Sequence, residues 1–199
     1  MADLEKTRKN LENRGFRAHV FATGAEAADY LAQTLHNTCI GIGGSVTIDT
    51  LGVYDRLCES NEVFWHWKNH APETRERAGK AETYLCSANG VSENGEIVNI
   101  DGFGNRVAGT IYGPERVFLV VGRNKIAPDL TGAIDRARNI AAPLNARRLN
   151  RHTPCAVGEP RCHDCRSPEK VCGVMTVFFM PPTSIKEFHV ILVDEDLGY

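Results

Sequence analysis

The chain has 199 residues, long enough to bury one substantial core without disulfide staples. Hydrophobic residues make up 42% and charged residues 24%, a globular balance that excludes a disordered or fibrous chain. The net charge of −2 excludes a global field for nucleic acid or an anionic membrane surface, and no apolar run approaches the roughly 20 residues that span a bilayer.

The opening M-A-D-L-E-K-T-R-K-N-L-E-N-R-G reads as a charged helix over 2–14, stopped by Gly15. It lacks the apolar stretch of a signal peptide, so a cytoplasmic protein with reduced thiols is expected. A strand at 16–21 follows. Thr23 and Glu26 then form a capping box for a helix that carries Ala27, Ala28, Leu31 and Leu35 on one face. Residues 38–43 read as a short buried strand ending in glycines, and Ser45 or Thr47 caps a helix reaching about Leu57. Residues 63–67 form the next strand, and Pro72 stands where another helix would begin.

Strands at 83–88 and 96–101 flank the turn E-N-G-E (93–96), and 105–112 reads as a short helix. R-V-F-L-V-V-G (116–122) is continuously apolar, as expected of a strand buried on both faces. Asp129 starts a helix running to about Ala141. Arg136, Arg138, Arg147, Arg148 and Arg151 read as a solvated helix face, with a weak anion or partner site as the alternative. A Cys-rich loop occupies 151–173. The last strands, 174–180 and 188–193, are joined by P-P-T-S and are expected to pair antiparallel. Strands alternating with helices predict one α/β domain over 1–199, Rossmann-like, with a mostly parallel sheet covered on both sides.

Three turns follow strands. G-I-G-G-S-V-T (41–47) brings glycines and hydroxyls together, so Gly43, Gly44, Ser45 and Thr47 are candidate anion-binding residues. It is neither a Walker A loop nor a dinucleotide fingerprint, because the lysine and the glycine spacing of those motifs are missing. D-G-F-G-N-R (101–106) offers Asp101 as a general base or helix cap. Gly102, Asn105 and Arg106 join it as ligand-binding candidates. G-R-N-K (122–125) adds Arg123 and Lys125. In a parallel sheet such turns meet at the carboxyl edge, where ligand crevices form. Glu93, between two strands, is a candidate nucleophile or base, although E-N-G-E is also ordinary turn chemistry.

The most specific pattern is T-P-C-A-V-G-E-P-R-C-H-D-C-R-S-P-E-K-V-C, in which Cys155, Cys162, Cys165 and Cys172 are spaced C-x6-C-x2-C-x6-C. The central CxxC lets two thiolates converge from one turn, and Gly158, Pro160 and Pro168 supply bends. With few apolar residues inside, the segment gains a core by binding metal. A [4Fe–4S] cluster is the expected occupant, since it takes four thiolates and tolerates irregular loops. Structural zinc is the alternative, although its ribbons use two CxxC pairs; redox-active thiols are a third. His152 and His163 flank the group as exposed loop histidines. Cys39, Cys58 and Cys86 stand apart, with Cys39 and Cys86 in strands as small hydrophobes.

Four stretches carry a family resemblance: G-G-S-V-T-I-D-T-L-G (43–52), A-N-G-V-S-E-N-G-E-I-V-N-I-D-G-F-G-N-R (88–106), V-V-G-R-N-K-I (120–126) and R-N-I-A-A-P-L-N-A-R-R-L (138–149). Together they resemble the LUD-domain family, which includes the small C-type protein of bacterial lactate utilisation. The resemblance implies a fold similar to ribose-phosphate isomerase, glucosamine-phosphate deaminase and the CoA transferases. It implies that Gly43–Ser45 resembles the phosphate-contacting loop of that superfamily and that Asp101 and Gly102 resemble its Asp-Gly element. Glu93 falls roughly where CoA transferases hold a glutamate. The four-cysteine segment makes the chain resemble a stand-alone subgroup, because the operon-type protein works with separate iron–sulfur subunits.

These features support an iron–sulfur protein linked to redox metabolism of a small organic acid such as lactate. Two alternatives remain open: a non-redox isomerase or transferase with a structural zinc, and a binding module that senses the state of a cluster. The expected partners are a small anionic metabolite and a redox protein, not nucleic acid or membrane. Oligomeric state is left open.

Overall fold

A computed structural model describes residues 2–199. Its larger sheet has six strands, all parallel, in the order β1 (Arg17–Phe21), β10 (Glu187–Val193), β7 (Arg116–Gly122), β4 (Thr83–Cys86), β2 (Cys39–Ile42) and β3 (Glu62–Trp65). The mostly parallel α/β sheet expected from the sequence is therefore present. Strand alternation divides the core. Val117, Leu119 and Val121 face one side with Phe16, Tyr84, Val190 and Leu192. Phe118 and Val120 face the other with Leu31, Ile40, Trp65 and Ile191.

Helices α2 (Gly24–Thr34), α3 (Val46–Leu51) and α4 (Tyr54–Cys58) cover the second side. On the first side lie α1 (Leu4–Asn13), α5 (Thr74–Gly79) and α6 (Asn105–Ile111). Two glycines permit close approach there. A Cβ on Gly41 would lie 2.0 Å from the Ala78 carbonyl oxygen, and one on Gly109 would lie 2.5 Å from the Tyr84 ring.

A second sheet runs β8 (Ile126–Ala127), β5 (Gly90–Ser92), β6 (Ile97–Asp101) and β9 (Val174–Phe178). It packs on α7 (Leu130–Arg136) through Val98, Ile100, Ala127, Ala133 and Ala137. Here the expectation for the last two strands is corrected. They do not pair with each other: β9 is the antiparallel edge of the small sheet, beside β6, while β10 lies parallel between β1 and β7. The reason is burial. Phe188–Val193 is covered on both faces and demands an interior position, whereas Val174 and Met175 are exposed, as an edge tolerates.

Two boundaries and one cap also differ. The helix expected to reach Leu57 breaks at Gly52, which takes a left-handed φ of 64°, and restarts as α4. The helix from Asp129 does not stop at Ala141. It passes through a wide π turn at Ala137–Ala141 into α8 (Ala142–Arg148), so Pro143, which has no N–H, falls in the first turn of the new segment. The capping box is modified: Thr23 accepts from the Glu26 N–H at 3.2 Å, but Glu26 reaches back to the Ala22 N–H instead of that of Thr23.

Between β1 and β10, His19 Nε2 lies 3.2 Å from His189 Nδ1, and His189 stacks on Phe118 at 4.3 Å. Burial holds His189 down at about 4 against an ordinary value of 6.5, with the neighbouring His19 adding to the effect and Glu187 opposing it. The folded chain therefore binds fewer protons than the unfolded chain between those values. Stability should rise with pH across that window and fall as pH drops from about 6.5 towards 4, and His189→Phe should flatten the dependence in urea titrations. For the sheet–helix contact, Gly41→Ala should lower stability by about 3 kcal/mol in denaturant unfolding, because backbone must move.

Candidate functional site

In the large sheet, β3 lies on one side of β2 and β4 on the other, so the chain reverses its direction of build between β2 and β4. The carboxyl ends of strands at such a reversal diverge and leave a crevice. A cavity of about 630 Å³ opens there. Its floor comes from Gly44, Ser45 and Thr47 after β2, Ser87 and Asn89 after β4, Asp101 and Gly102 ending β6, and Lys125 after β7. Its walls come from His66, Trp67 and Arg75 beyond β3, from Arg148 of α8, from Pro168–Val171 and from Tyr199.

Charge in the cavity is one-sided. Arg75, Arg106, Arg148, Arg151 and Lys170 line it, besides the buried Lys125, against the carboxylate side chains of Asp101 and Glu169 among the described residues. A site so composed favours an anion. Arg148 lies 4.6 Å from the Trp67 ring and donates to the Tyr199 hydroxyl at 2.7 Å, which holds that guanidinium over the opening.

The sequence-derived candidates divide into three groups. Gly44, Ser45, Thr47, Asp101, Gly102, Asn105, Arg106 and Lys125 meet at the cavity. Gly43 lies beneath it, where a Cβ would be 2.9 Å from the Tyr84 hydroxyl. Glu93 and Arg123 are not among the lining residues. Glu93 is tied to Lys6 at 2.8 Å and to the Asp3 N–H at 3.2 Å, which depresses its carboxyl, the Lys6 hydrogen bond first. Arg123 pairs with Asp196 at 3.1 Å and Asp194 at 3.5 Å on the exposed side of its turn.

Within the cavity, roles differ from residue type alone. Asp101 accepts from the backbone N–H groups of Phe103, Arg106 and Val107, so its carboxylate caps α6. Ser45 likewise caps α3 through the Ile48 N–H. Arg106 places its two terminal nitrogens on Ser87 O, Asn99 Oδ1, Asn89 Oδ1 and Ile100 O, at 2.6–3.0 Å. Those four bonds use all four of its terminal N–H protons, so the guanidinium fastens two sheets together instead of reaching for a ligand. Lys125 is the reverse case: 3% exposed, it donates only to Thr47 Oγ1 at 2.7 Å and Ser87 Oγ at 2.9 Å among the described residues.

The cysteine-rich loop is built against this site. A Cβ on Gly102 would lie 2.7 Å from Val171 Cα, so the loop backbone rests on the Asp-Gly turn. Asn139 accepts the Cys162 N–H at 2.9 Å, and Arg138 Nη2 lies 3.4 Å from Cys162 Sγ. Asp164 adopts φ 46°, the left-handed bend of a tight turn inside the CxxC, and aims its N–H at Cys162 Sγ at 3.4 Å. Among the described residues, no three His, Cys, Asp or Glu side chains stand at metal-holding distances. The thiols are nevertheless neighbours. Burial raises the Cys172 thiol, and the charges of Cys162, Cys165 and Cys155 raise it further, while Lys170 opposes them. All four cysteines are partly buried.

Of the arginines read as a solvated face, Arg138, Arg147, Arg148 and Arg151 are exposed and Arg136 is not. Arg136 is buried and donates to Asn124 O and Asn89 O, while Arg147 holds the carbonyls of Ala156 and Gly158. Burial brings Arg136 down to about 10. Sequence reasoning also passed over His66, Trp67, Arg75 and Tyr199. The available signal was the run F-W-H-W-K-N-H directly after a parallel strand, hence at the carboxyl edge.

A family model described as LUD domain matches residues 4–193. A solved structure similar to this chain is a DUF162 family protein from Deinococcus radiodurans, 15% identical, covering 96% of this chain and 95% of that one with a TM-score of 0.55. It supports the fold. No curated protein matches the sequence. Among the described residues no helix is long and apolar enough to cross a membrane.

Arg106→Lys should cost about 2 kcal/mol of stability in denaturant unfolding, since an ammonium cannot reproduce a planar fork and leaves buried carbonyls unpaired.

Proposed function

We propose, from the premise that the chain belongs to the LUD-domain family, that it is an iron–sulfur protein of redox metabolism whose cavity binds a small organic acid such as lactate. The observation that carries the reading is adjacency: Pro168, Glu169, Lys170 and Val171, from the spacer between Cys165 and Cys172, are also a wall of the cationic cavity. An electron centre is useful only near what it oxidises or reduces, and an anion site is useful to it only within reach.

The donor chemistry fits the group, with four cysteines on one loop, although the side chains do not stand at ligating distances. Cys155, Cys162, Cys165 and Cys172 would hold a [4Fe–4S] cluster, which takes four thiolates. Cys162 already receives N–H groups from Arg138 and Asp164, the kind of hydrogen bond that stabilises ligated thiolate. The loop has almost no apolar core of its own, so metal ligation would supply one. A bound cluster would supply one-electron transfer at the cavity wall. The chain's own contribution is to attract and orient the acid: Arg148 and Arg151 draw its carboxylate, and Trp67 with Tyr199 narrows the mouth. Residues 155–172 lie outside the two cores of the large sheet, with Cys172 packed on the edge of the small-sheet core, so the large sheet does not depend on the loop being loaded.

Anaerobic reconstitution with iron and sulfide should give a brown protein with broad visible absorbance. Cys155→Ala should lose the colour and keep its far-ultraviolet circular dichroism. A folded, colourless protein carrying stoichiometric zinc would replace this reading with a structural metal clip.

A further inference from the structure

Lys125 has no counter-ion among the described residues. The groups acting on its amine are Arg136, Arg106 and the Cys86 thiol, and no carboxylate is among them. Its two partners also have their protons committed elsewhere. The Thr47 hydroxyl donates to Leu197 O at 3.2 Å, and the Ser87 hydroxyl donates to Ala88 O at 3.2 Å. Each hydroxyl has one proton, so both must accept from Lys125. The amine therefore spends two N–H bonds on the protein. An uncharged amine has two hydrogens and one lone pair, and this arrangement leaves the lone pair free. A charged one would hold a third N–H with no acceptor among the described residues. Burial points the same way: it drives Lys125 well below the ordinary lysine range, and the cations of Arg136 and Arg106 push further than Cys86 pushes back. Asp101 is held on the N-terminus of α6 and does not pair with the amine.

Lys125 is nonetheless one of the residues that line the cavity, as are Thr47 and Ser87, on which its amine rests. A lysine used only to attract an anion would be charged, and the other cations already perform that task. A buried amine with a free pair performs a different one: it attacks carbonyl carbon. We propose that Lys125 Nζ is a nucleophile and that the cavity takes a 2-oxo acid, bound through its carboxylate by the surrounding arginines and captured as an imine on that nitrogen. The nitrogen pair forms the C–N bond as the carbonyl π pair moves to oxygen. Both hydrogens of the amine then leave with that oxygen as water, and the C=N bond is complete, with no oxidant or reductant required. The proposal rests on the acid-binding cavity described above, not on the cluster.

Pyruvate serves as the probe, with cyanoborohydride to reduce any imine to a stable amine. Peptide mass mapping should find the adduct on Lys125 in preference to Lys6, Lys9, Lys68, Lys80, Lys186 and the cavity's own Lys170, although Lys125 is far more buried. Lys125→Met should lose at least ten-fold in total labelling while keeping its circular dichroism. Should that variant misfold, the site preference within the unaltered chain still decides. Labelling spread over the exposed lysines, with Lys125 unmodified, overturns the proposal. Running the same trap on Cys155→Ala separates the two readings. An adduct on Lys125 without a cluster upholds the amine and leaves the redox assignment to stand or fall on its own spectrum. A brown protein with no Lys125 adduct overturns the amine alone.

Discussion

The guanidinium of Arg106 is the fastening on which the site depends. It rises from α6 between two sheets and bonds to Ser87 O at the end of the large one and to Asn89, Asn99 and Ile100 of the small one. Four charge-assisted bonds replace the hydration that a cation gives up on burial. Asp101 completes the arrangement by capping the helix that carries Arg106. With both sheets so joined, the turns after β2, β4, β6 and β7 end at one cavity, and the cysteine-rich loop rests on Gly102 as its outer wall.

Much of this was legible in the residues. Continuous apolar runs announced β7, and the same signal in F-H-V-I-L-V should have put β10 in the sheet interior; the short P-P-T-S link drew attention to a hairpin instead. The glycine-edged turns were recognised because glycine and hydroxyl chemistry is local. What local chemistry does not disclose is where a side chain's hydrogen bonds go. Arg106, Asp101 and Glu93 all looked available. In the fold the first two are bonded to backbone or amide groups and the third is paired with Lys6, because distant segments close on them. Lys125 looked like one more cation, and only its burial among hydroxyls and arginines separates it from the rest. The arginines after Asp129 misled in the opposite direction. As one more charge on a helix Arg136 reads as solvent-facing, yet it is buried on Asn89 O and Asn124 O, carbonyls of segments distant in sequence.

The cavity and the loop are two halves of one device in this account. The cavity would attract an anion by its excess of Arg and Lys, of which Arg75, Arg148 and Arg151 are exposed to solvent. The loop is tethered by Asn139 and Arg138, carries the four cysteines, and meets the cavity through Lys170 and Val171. Burial first, and the other three cysteines after it, raise the Cys172 thiol, and ligation to a cation would offset that cost.

Iron X-ray absorption on protein isolated without air tests that claim most directly. The account predicts a first shell of sulfur alone with short iron–iron scattering, both lost in Cys162→Ser. Iron bound through oxygen and nitrogen, or protein that folds fully and takes up no iron, would contradict it.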